Sequence, residues 1–290
     1  MTEARTATAA RALTIAGSDS GGGAGIQADL KTFFALGTFG MSAITAVTAQ
    51  NTLGVSGVYP LFPEAVAKQI DDVATDIGVD AAKSGMLFST EIIEVVADRV
   101  QAHRIERFVV DPVMIAKGGS PLLQDDAVQA YLDVLMPLAF VVTPNLPEAE
   151  RLTGLTIRTR TDKIRAAKAL SERGAKHVII KGGHETSADV EDVFFDGARV
   201  VVFRKTRTET KNTHGTGCTF SAAIAAQLAK GADVFQAVLT AERFIDAAIR
   251  AALPLGGGHG PTNHWAYGVE RPLQTISDAA VPQVEWEEVH

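Results

Sequence analysis

A short glycine-rich segment ends on the only cysteine of the chain, and its residue types point to one kind of chemistry. From Asn212 to Cys218 it reads NTHGTGC, and a small-residue helical pattern starts directly after it. Free backbone N–H groups at a helix start bind phosphate oxygens at the positive end of the helix dipole. The same field is expected to lower the pKa of the Cys218 thiol. Gly215, Thr216 and Gly217 therefore predict an anion cradle beside a base, which suits phosphoryl transfer to an alcohol.

Polar residues also follow four apolar runs that are predicted to be strands. They are Gln50, Asp111, the segment Thr143–Glu148 and Lys181. A side-chain amide such as Gln50 suits a heteroaromatic ring with an amino group beside a ring nitrogen. The carboxylates of Asp111 and Glu148 are candidates to share one Mg²⁺. Lys181 is a candidate to reach triphosphate oxygens.

Each of these residues also has a purely structural explanation. Gln50 suits a turn, Asp111 precedes a proline as turn residues often do, and Lys181 precedes two glycines in a pattern typical of a solvated lysine. Asn145 would make a good helix N-cap, with Glu148 favoured in the first turn. A buried, packed Cys218 is likewise the structural alternative to a base. The carboxyl ends of parallel strands meet at one sheet edge, so the shared location favours a ligand site.

The first glycine loop, Gly17–Gly25, lies between a predicted strand and a predicted helix. It contains the glycine spacing of a dinucleotide-binding fingerprint, but no acidic residue follows about twenty positions later to hold a ribose. No Gly-Lys-Ser/Thr follows the glycines either, so it is not a Walker loop. We interpret it as a glycine-lined wall of a substrate site, with a tight strand-to-helix turn as the alternative.

The positions of these residues depend on an alternation of strand and helix patterns along the chain. Predicted strands are Ala12–Gly17, Met41–Ala49, Ala81–Ser84, Phe108–Asp111, Phe140–Thr143 and His177–Lys181, then a hairpin of Val190–Phe195 and Val200–Phe203. Predicted helices are Ile26–Leu36, Glu64–Ile77, Thr90–His103, Ala127–Met136, Asp162–Arg173, Thr219–Lys230 and Val234–Leu253. Continuous apolar strands alternating with helices predict an α/β fold with a mostly parallel sheet covered on both faces.

Composition limits the class of protein and its partners. With 290 residues the chain suits one large domain, predicted here at 12–268 between an N-terminal extension (1–11) and a C-terminal tail (269–290) that is either flexible or an interface element. A net charge of -7 argues against nucleic acid or an anionic membrane as partner. One cysteine and no apolar stretch near ~20 residues predict a cytoplasmic protein without a membrane span.

At these residues the chain resembles the ribokinase-like superfamily and, within it, the hydroxymethylpyrimidine/phosphomethylpyrimidine kinases of thiamine biosynthesis. The matching segments are Ala16–Asp19, Gly21–Lys31, Ala46–Thr52, Lys83–Met86, Asp111–Val113, Thr143–Glu148, Lys181–Gly183, Asn212–Cys218 and Gly256–His264. The resemblance spans about residues 12–265 and implies a three-layer α/β/α fold with a mostly parallel central sheet.

The resemblance also implies how the substrate is held. It implies a pyrimidine pocket lined by Asp29, Gln50 and Met86, with Gly17 and Ala24 near the ring. The implied reaction phosphorylates 4-amino-5-hydroxymethyl-2-methylpyrimidine and then its monophosphate. Pyridoxal kinase is the near alternative, and a non-catalytic ligand-binding module is the distant one.

For the phosphate donor, the resemblance implies ATP with Mg²⁺ and leaves open a monovalent cation. Lys181, Asn145 and Thr143 would contact ATP, while Asp111 and Glu148 would hold the metal. Cys218 takes the place of the aspartate base of the superfamily's sugar kinases, next to an anion hole formed by residues 215–217. A small-molecule substrate and a homodimer are implied as well.

Overall fold

The computed structural model describes residues 9–115, 119, 122–124, 127–184, 187–267 and 284–289. The strands are β1 (Arg11–Asp19), β2 (Phe39–Asn51), β3 (Gly54–Pro60), β4 (Ala81–Ser84), β5 (Phe108–Val110), β6 (Val141–Val142), β7 (His177–Ile180), β8 (Asp189–Phe195), β9 (Val200–Thr206) and β10 (Glu285–Val289). The helices are α1 (Gly25–Ala35), α2 (Pro63–Asp76), α3 (Thr90–Ala102), α4 (Ala127–Ala130), α5 (Leu146–Thr153), α6 (Arg160–Glu172), α7 (Thr216–Ala229) and α8 (Val234–Arg250).

All these strands form one sheet in the order β10-β9-β8-β7-β6-β5-β4-β1-β2-β3. The central part of the sheet consists of parallel strands in the order β7-β6-β5-β4-β1-β2. The outer strands β3 and β8 to β10 pair antiparallel. The predicted α/β class with a mostly parallel sheet is confirmed, and the carboxyl ends of its parallel strands share one edge.

Helices cover both faces of the sheet, which gives three layers. Phe108 and Val110 of β5 pack in one apolar cluster with α2, α3, α5 and α6. Val109 points the other way, into a second cluster with α1, α7 and α8. Because both faces are buried, the short strands β5 and β6 are apolar along their whole length. That burial explains why the strands were recognisable as continuous apolar runs.

The predicted elements lie close to the observed ones, with five differences. Strand β3 and helix α5 were not among the predicted elements, and helix α7 begins at Thr216, so Cys218 lies inside its first turn rather than before it. After α4 the chain widens into a π-helical turn at Tyr131–Leu135, within what was predicted as one helix. The end of the predicted tail forms β10, which pairs with β9 at the sheet edge.

Two parts of the predicted organisation fall partly outside this description. Most of the predicted N-terminal extension (residues 1–8) and of the tail (269–283 and 290) lies outside the described residues. Within the ranges given above, no helix is long and apolar enough to cross a bilayer.

Candidate active site

A cavity of about 310 Å³ opens where the parallel strands end. Its wall includes residues at or just after the carboxyl ends of β1, β2, β5, β6 and β7, together with the first turn of α7. Most of the sequence-predicted site residues line this cavity: Gly17, Ala24, Gln50, Met86, Asp111, Asn145, Glu148, Lys181, Gly215, Thr216, Gly217 and Cys218. The convergence expected from a parallel sheet is therefore present.

Asp29 and Thr143 are fully buried and do not line the cavity, so the ligand contacts predicted for them stay predictions. Asp29 is fully buried one turn into α1, where its carboxylate pairs with Lys83 Nζ at 2.9 Å and accepts from Thr14 Oγ1 at 2.6 Å. Thr143 is also fully buried, and its hydroxyl lies 3.3 Å from Asp111 Oδ1. Both residues support the site from behind its wall.

Asp111 and Lys181 form the polar centre of the cavity. Lys181 Nζ donates to Asp111 Oδ1 at 3.2 Å, and the Ser221 hydroxyl of α7 lies 3.1 Å from Asp111 Oδ2. Burial alone would lower the pKa of Lys181, but the carboxylates of Asp111 and Glu148 outweigh it and raise that pKa. Lys181 is therefore a permanent cation at the base of the cavity.

Glu148 is held beside this pair by the start of α5. Its N–H donates to Asn145 Oδ1 at 2.9 Å, and its Oε2 accepts from the Asn145 N–H at 2.8 Å, a reciprocal capping box. Burial and the nearby Asp111 raise the pKa of Glu148 to about 7, although Lys181 opposes the shift. Both explanations of this segment thus hold together: Asn145 caps the helix and also lines the cavity.

The donor set around Asp111 suits a hard divalent cation. Two carboxylates face one cavity beside a lysine, and hard cations prefer oxygen ligands completed by water and phosphate. No group of three or more His, Cys, Asp or Glu side chains that could hold a metal occurs in the part of the chain that is described. A Mg²⁺ ion at Asp111 and Glu148 would therefore take its remaining ligands from water and phosphate.

The first turn of α7 closes the site opposite Lys181. Gly215 precedes this helix with φ +82, and a Cβ on it would lie 1.7 Å from the carbonyl oxygen of Gly23. A Cβ on Gly217 would lie 3.4 Å from Lys181 Nζ. The two glycine loops are thus in direct contact, and the start of α7 faces the same space as Lys181. This is the geometry an anion cradle requires.

Cys218 lies in that turn, half-buried on the cavity wall. Burial raises the pKa of Cys218 to about 11; Asp29 and Asp111 add to the rise, whereas Lys83 and a hydrogen bond from the Gly25 N–H oppose it. The prediction of a lowered pKa is therefore wrong, because the helix start is outweighed by desolvation and two carboxylates. At neutral pH the group is mainly a thiol.

The other half of the cavity is glycine-lined and less charged. Met86 lies close to Gly17, since a Cβ on Gly17 would be 3.0 Å from the Met86 sulfur. Gln50 Nε2 lies 3.3 Å from His214 Nε2, and the same His214 atom lies 2.8 Å from Asp19 Oδ2. These side-chain contacts from Gln50 through His214 to Asp19 connect the amide at the end of β2 with the glycine loops.

Asp19 lines the cavity and organises the first glycine loop. Its carboxylate accepts from the N–H groups of Gly21, Gly23 and Ala24 at 2.8 to 3.1 Å. Burial opposes ionisation of Asp19, but His214 and these backbone donors lower its pKa below the ordinary value. The loop is therefore fixed by an ionised carboxylate at its centre.

The sequence reasoning missed one end of the cavity entirely. This end, formed by β8, β9 and α8, is lined by Val190, Asp192, Lys205, Arg207, Ile245, Asp246 and Ile249. A signal existed at Asp192, a carboxylate within the apolar run Val190–Phe195. Periodicity assigned that run to a hairpin and gave no reason to place it beside the Lys181 strand end.

An α/β sheet whose parallel strands end at a cavity with a glycine-rich helix start, a lysine and two carboxylates is typical of a small-molecule kinase with the three-layer ribokinase-like fold. The sequence model of the phosphomethylpyrimidine kinase family matches residues 19–263. The chain belongs to that family.

Individual relatives agree with this assignment. The chain is 54% identical over 258 residues to the hydroxymethylpyrimidine/phosphomethylpyrimidine kinase of Bacillus subtilis, covering 89% of this chain and 95% of the relative. It is 55% identical over 259 residues to the enzyme of that name from Haemophilus influenzae, covering 88% and 96%. A solved structure of the pyridoxal kinase from Staphylococcus aureus, in complex with AMP-PCP and pyridoxal, is similar with a TM-score of 0.87 at 38% identity, covering 97% of this chain and 100% of that one.

Proposed function

We propose that the protein is a hydroxymethylpyrimidine/phosphomethylpyrimidine kinase of thiamine biosynthesis. It transfers a phosphoryl group from ATP to 4-amino-5-hydroxymethyl-2-methylpyrimidine and then to the monophosphate. The observation that carries this proposal is the cavity itself, which joins a glycine-lined pocket at Gln50 and Met86 to the charged centre at Lys181 and Asp111. The family match supports the same conclusion.

The acceptor is proposed to lie in the half of the cavity formed by Gly17, Ala24, Gln50 and Met86. The amide of Gln50 offers a donor and an acceptor, which match an amino group beside a ring nitrogen. Met86 supplies a polarisable apolar surface for the ring. This orientation turns the hydroxymethyl group towards the α7 turn and Cys218, which line the same cavity.

The phosphates of ATP are proposed to lie between Lys181 and the N–H groups of the turn from Gly215 to Cys218. Cation and backbone donors there would stabilise the charge that develops on the transferring group. Asp111 and Glu148 would hold Mg²⁺, which neutralises phosphate charge when bound. The Cys218 thiolate, the minor form at neutral pH, would take the proton of the alcohol.

The nucleoside end of ATP is proposed to lie against β8 and α8. Val190, Ile245 and Ile249 provide an apolar wall there, beyond Lys181 in the same cavity. The similar Staphylococcus aureus pyridoxal kinase was solved with AMP-PCP, a nucleotide analogue. The cavity is continuous from this wall to Gln50, so the two proposed subsites adjoin each other.

A second candidate activity is phosphorylation of pyridoxal. The observation that favours it is the TM-score of 0.87 to a pyridoxal kinase structure that contains pyridoxal. Pyridoxal is a similarly shaped hydroxymethyl heteroaromatic, so the same centre would act on it. Gln50 favours the aminopyrimidine, because only that ring pairs an amino group with a ring nitrogen.

We further propose that the chain acts as a homodimer in the cytoplasm. The sheet edge at β2 and β3 exposes the apolar side chains of Val47, Leu53 and Tyr59, each more than 40% accessible. Apolar surface grouped in this way marks an interaction site. A second copy of the chain is the proposed occupant, and light scattering of the purified protein, with Tyr59→Lys as the disrupting variant, tests it.

The experiment that tests the activity measures ADP release from MgATP with three acceptors in separate reactions. These are the hydroxymethylpyrimidine, its monophosphate and pyridoxal. Turnover of both pyrimidines and little turnover of pyridoxal would support the proposed function. Turnover of pyridoxal alone would replace it with the second candidate, and binding of the pyrimidine without any ADP release would favour a non-catalytic module.

A further inference from the structure

A buried ion-paired cluster lies at the nucleoside end of the cavity, and none of its members has a role in the mechanism above. It consists of Asp192 on β8, Lys205 on β9 and Glu242 on α8, whose side chains are each at most 9% exposed. Lys205 Nζ donates to Asp192 Oδ2 at 2.8 Å and also to Glu242 Oε2. Asp192 and Lys205 line the cavity.

The second oxygen of Asp192 reaches the backbone that carries Lys181. Asp192 Oδ1 accepts from the N–H of Gly182 at 2.5 Å. The β7–β8 ladder ends at the pair of Ile180 and Val193, so the carboxylate bonds an N–H just beyond the end of the ladder. On the opposite side, the Lys181 N–H donates to the Pro144 carbonyl at 2.9 Å. The backbone at Lys181 is thus held from both neighbouring strands.

The charges of the cluster keep Asp192 ionised, so that its carboxylate accepts the hydrogen bond from the Gly182 N–H. Burial opposes ionisation of Asp192, but the ion pair with Lys205 outweighs it and lowers the pKa of Asp192. Burial raises the pKa of Glu242 well above its ordinary value, so Glu242 is the member that holds a proton most readily. The two oxygens of the Asp192 carboxylate are therefore bonded separately, one to Lys205 and one to Gly182.

We propose that Asp192 is a positioning residue for the ATP phosphates, acting through Gly182 on Lys181. This inference rests on the proposed function, because it assumes that Lys181 contacts a phosphate. Lys205 bonds both Asp192 and Glu242, and so connects Asp192 to α8. Ile245 and Ile249 of the same helix line the proposed nucleoside wall. The lysine and that wall are thereby kept in a fixed relation to each other.

The variant Asp192→Asn tests the proposal, since it replaces one of the two carboxylate oxygens by an NH₂ donor, which cannot accept from Lys205 or Gly182. We expect the Kd for AMP-PCP, measured by calorimetry, and the KM for ATP each to rise about 10-fold, because small displacements of a positioning group are costly. The KM for the pyrimidine should stay unchanged. A matched control is Glu191→Gln, the neighbouring carboxylate on β8, which pairs with Arg160 at 2.6 Å and does not line the cavity.

Unchanged AMP-PCP affinity in folded Asp192→Asn would overturn the proposal, as would equal weakening of nucleotide and pyrimidine. If that variant does not fold, Lys205→Met, which removes the partner that fixes the carboxylate, must show the same selective rise in the Kd for AMP-PCP. Absence of pyrimidine turnover by the unmodified protein would instead contradict the proposed function. The AMP-PCP titrations decide the role of Asp192 in that case too.

Discussion

Lys83 and Asp29 form an ion pair that is completely buried behind the cavity wall, with Lys83 Nζ 2.9 Å from Asp29 Oδ2. Burial alone would lower the pKa of Lys83, but the Asp29 carboxylate outweighs it and raises that pKa. The field of Lys83 also favours the thiolate of Cys218, whereas that of Asp29 opposes it. Asp29 thus influences the Cys218 thiol through the charge balance of this buried pair.

Removing one member of this pair should be more harmful than removing both. Asp29→Asn leaves the Lys83 ammonium without a counter-ion in the interior, which we expect to cost about 3–5 kcal/mol of unfolding free energy. The double variant Asp29→Leu with Lys83→Met leaves no buried charge and should recover most of that loss. Urea denaturation followed by circular dichroism measures both. A double variant as unstable as Asp29→Asn would contradict this account.

Alkylation of Cys218 should be slow at neutral pH and should accelerate up to about pH 11. The thiolate is the reactive form, and burial raises the pKa of Cys218 to about 11. Relative to a free thiol near 8.5, the thiolate fraction at pH 7.5 is then about 300-fold smaller. Rates with iodoacetamide across the pH range, with N-acetylcysteine as the reference thiol, measure the difference. A plateau near pH 9 would show that the thiol is not shielded.

Cys218→Ser should impair the first phosphorylation more than the second. The first acceptor is an alcohol and benefits from a base, whose loss costs about 10²-fold or more. The second acceptor is a phosphate monoester with a second pKa of about 6, so it is mostly ionised without help. ADP release with each acceptor gives the two values of kcat/KM. Equal losses in both steps would exclude a base role for Cys218.

The sequence predicted the central layers well, because burial on both sheet faces leaves a signal in the residues themselves. Phe108–Val110 and His177–Ile180 are apolar at nearly every position, as strands covered on both faces must be. The edge strand β3 has no such signal, since it contains glycine and proline and has no fully buried residue. Its location depends on pairing with β2, which local pattern does not encode.

The predicted strand ends were sufficient to show which residues converge at the site. They could not show whether a residue faces the cavity or is buried behind its wall. Gln50, Asp111 and Lys181 converge because parallel strands end at one edge. Asp29 sits on a helix, and its orientation is set by Lys83, a charged residue on β4 that periodicity treats as an exception. The pKa of Cys218 is also a three-dimensional property, because it depends on desolvation and carboxylates distant in sequence.

Gly215→Ala should abolish activity through a clash that Gly231→Ala does not create. Both glycines have left-handed backbone, with φ +82 and φ +87, so both substitutions carry the same conformational cost of roughly 1–2 kcal/mol. Only at Gly215 does the new Cβ meet another backbone, 1.7 Å from the carbonyl oxygen of Gly23, whereas at Gly231 no atom lies within 4 Å. The first glycine loop must then move away from the start of α7, and the anion cradle opens.

For Gly215→Ala we expect a fall of about 10²-fold or more in kcat/KM for ATP, since the donors of the cradle lose their alignment. Gly231 follows the last turn of the same helix. The Gly231→Ala variant should therefore have a lower melting temperature, because of the backbone conformational cost, and an unchanged turnover. Circular dichroism melts together with ADP release separate the two effects. If both variants were equally stable and lost equal activity, the left-handed backbone strain alone, and not the contact between the two glycine loops, would explain the loss of activity.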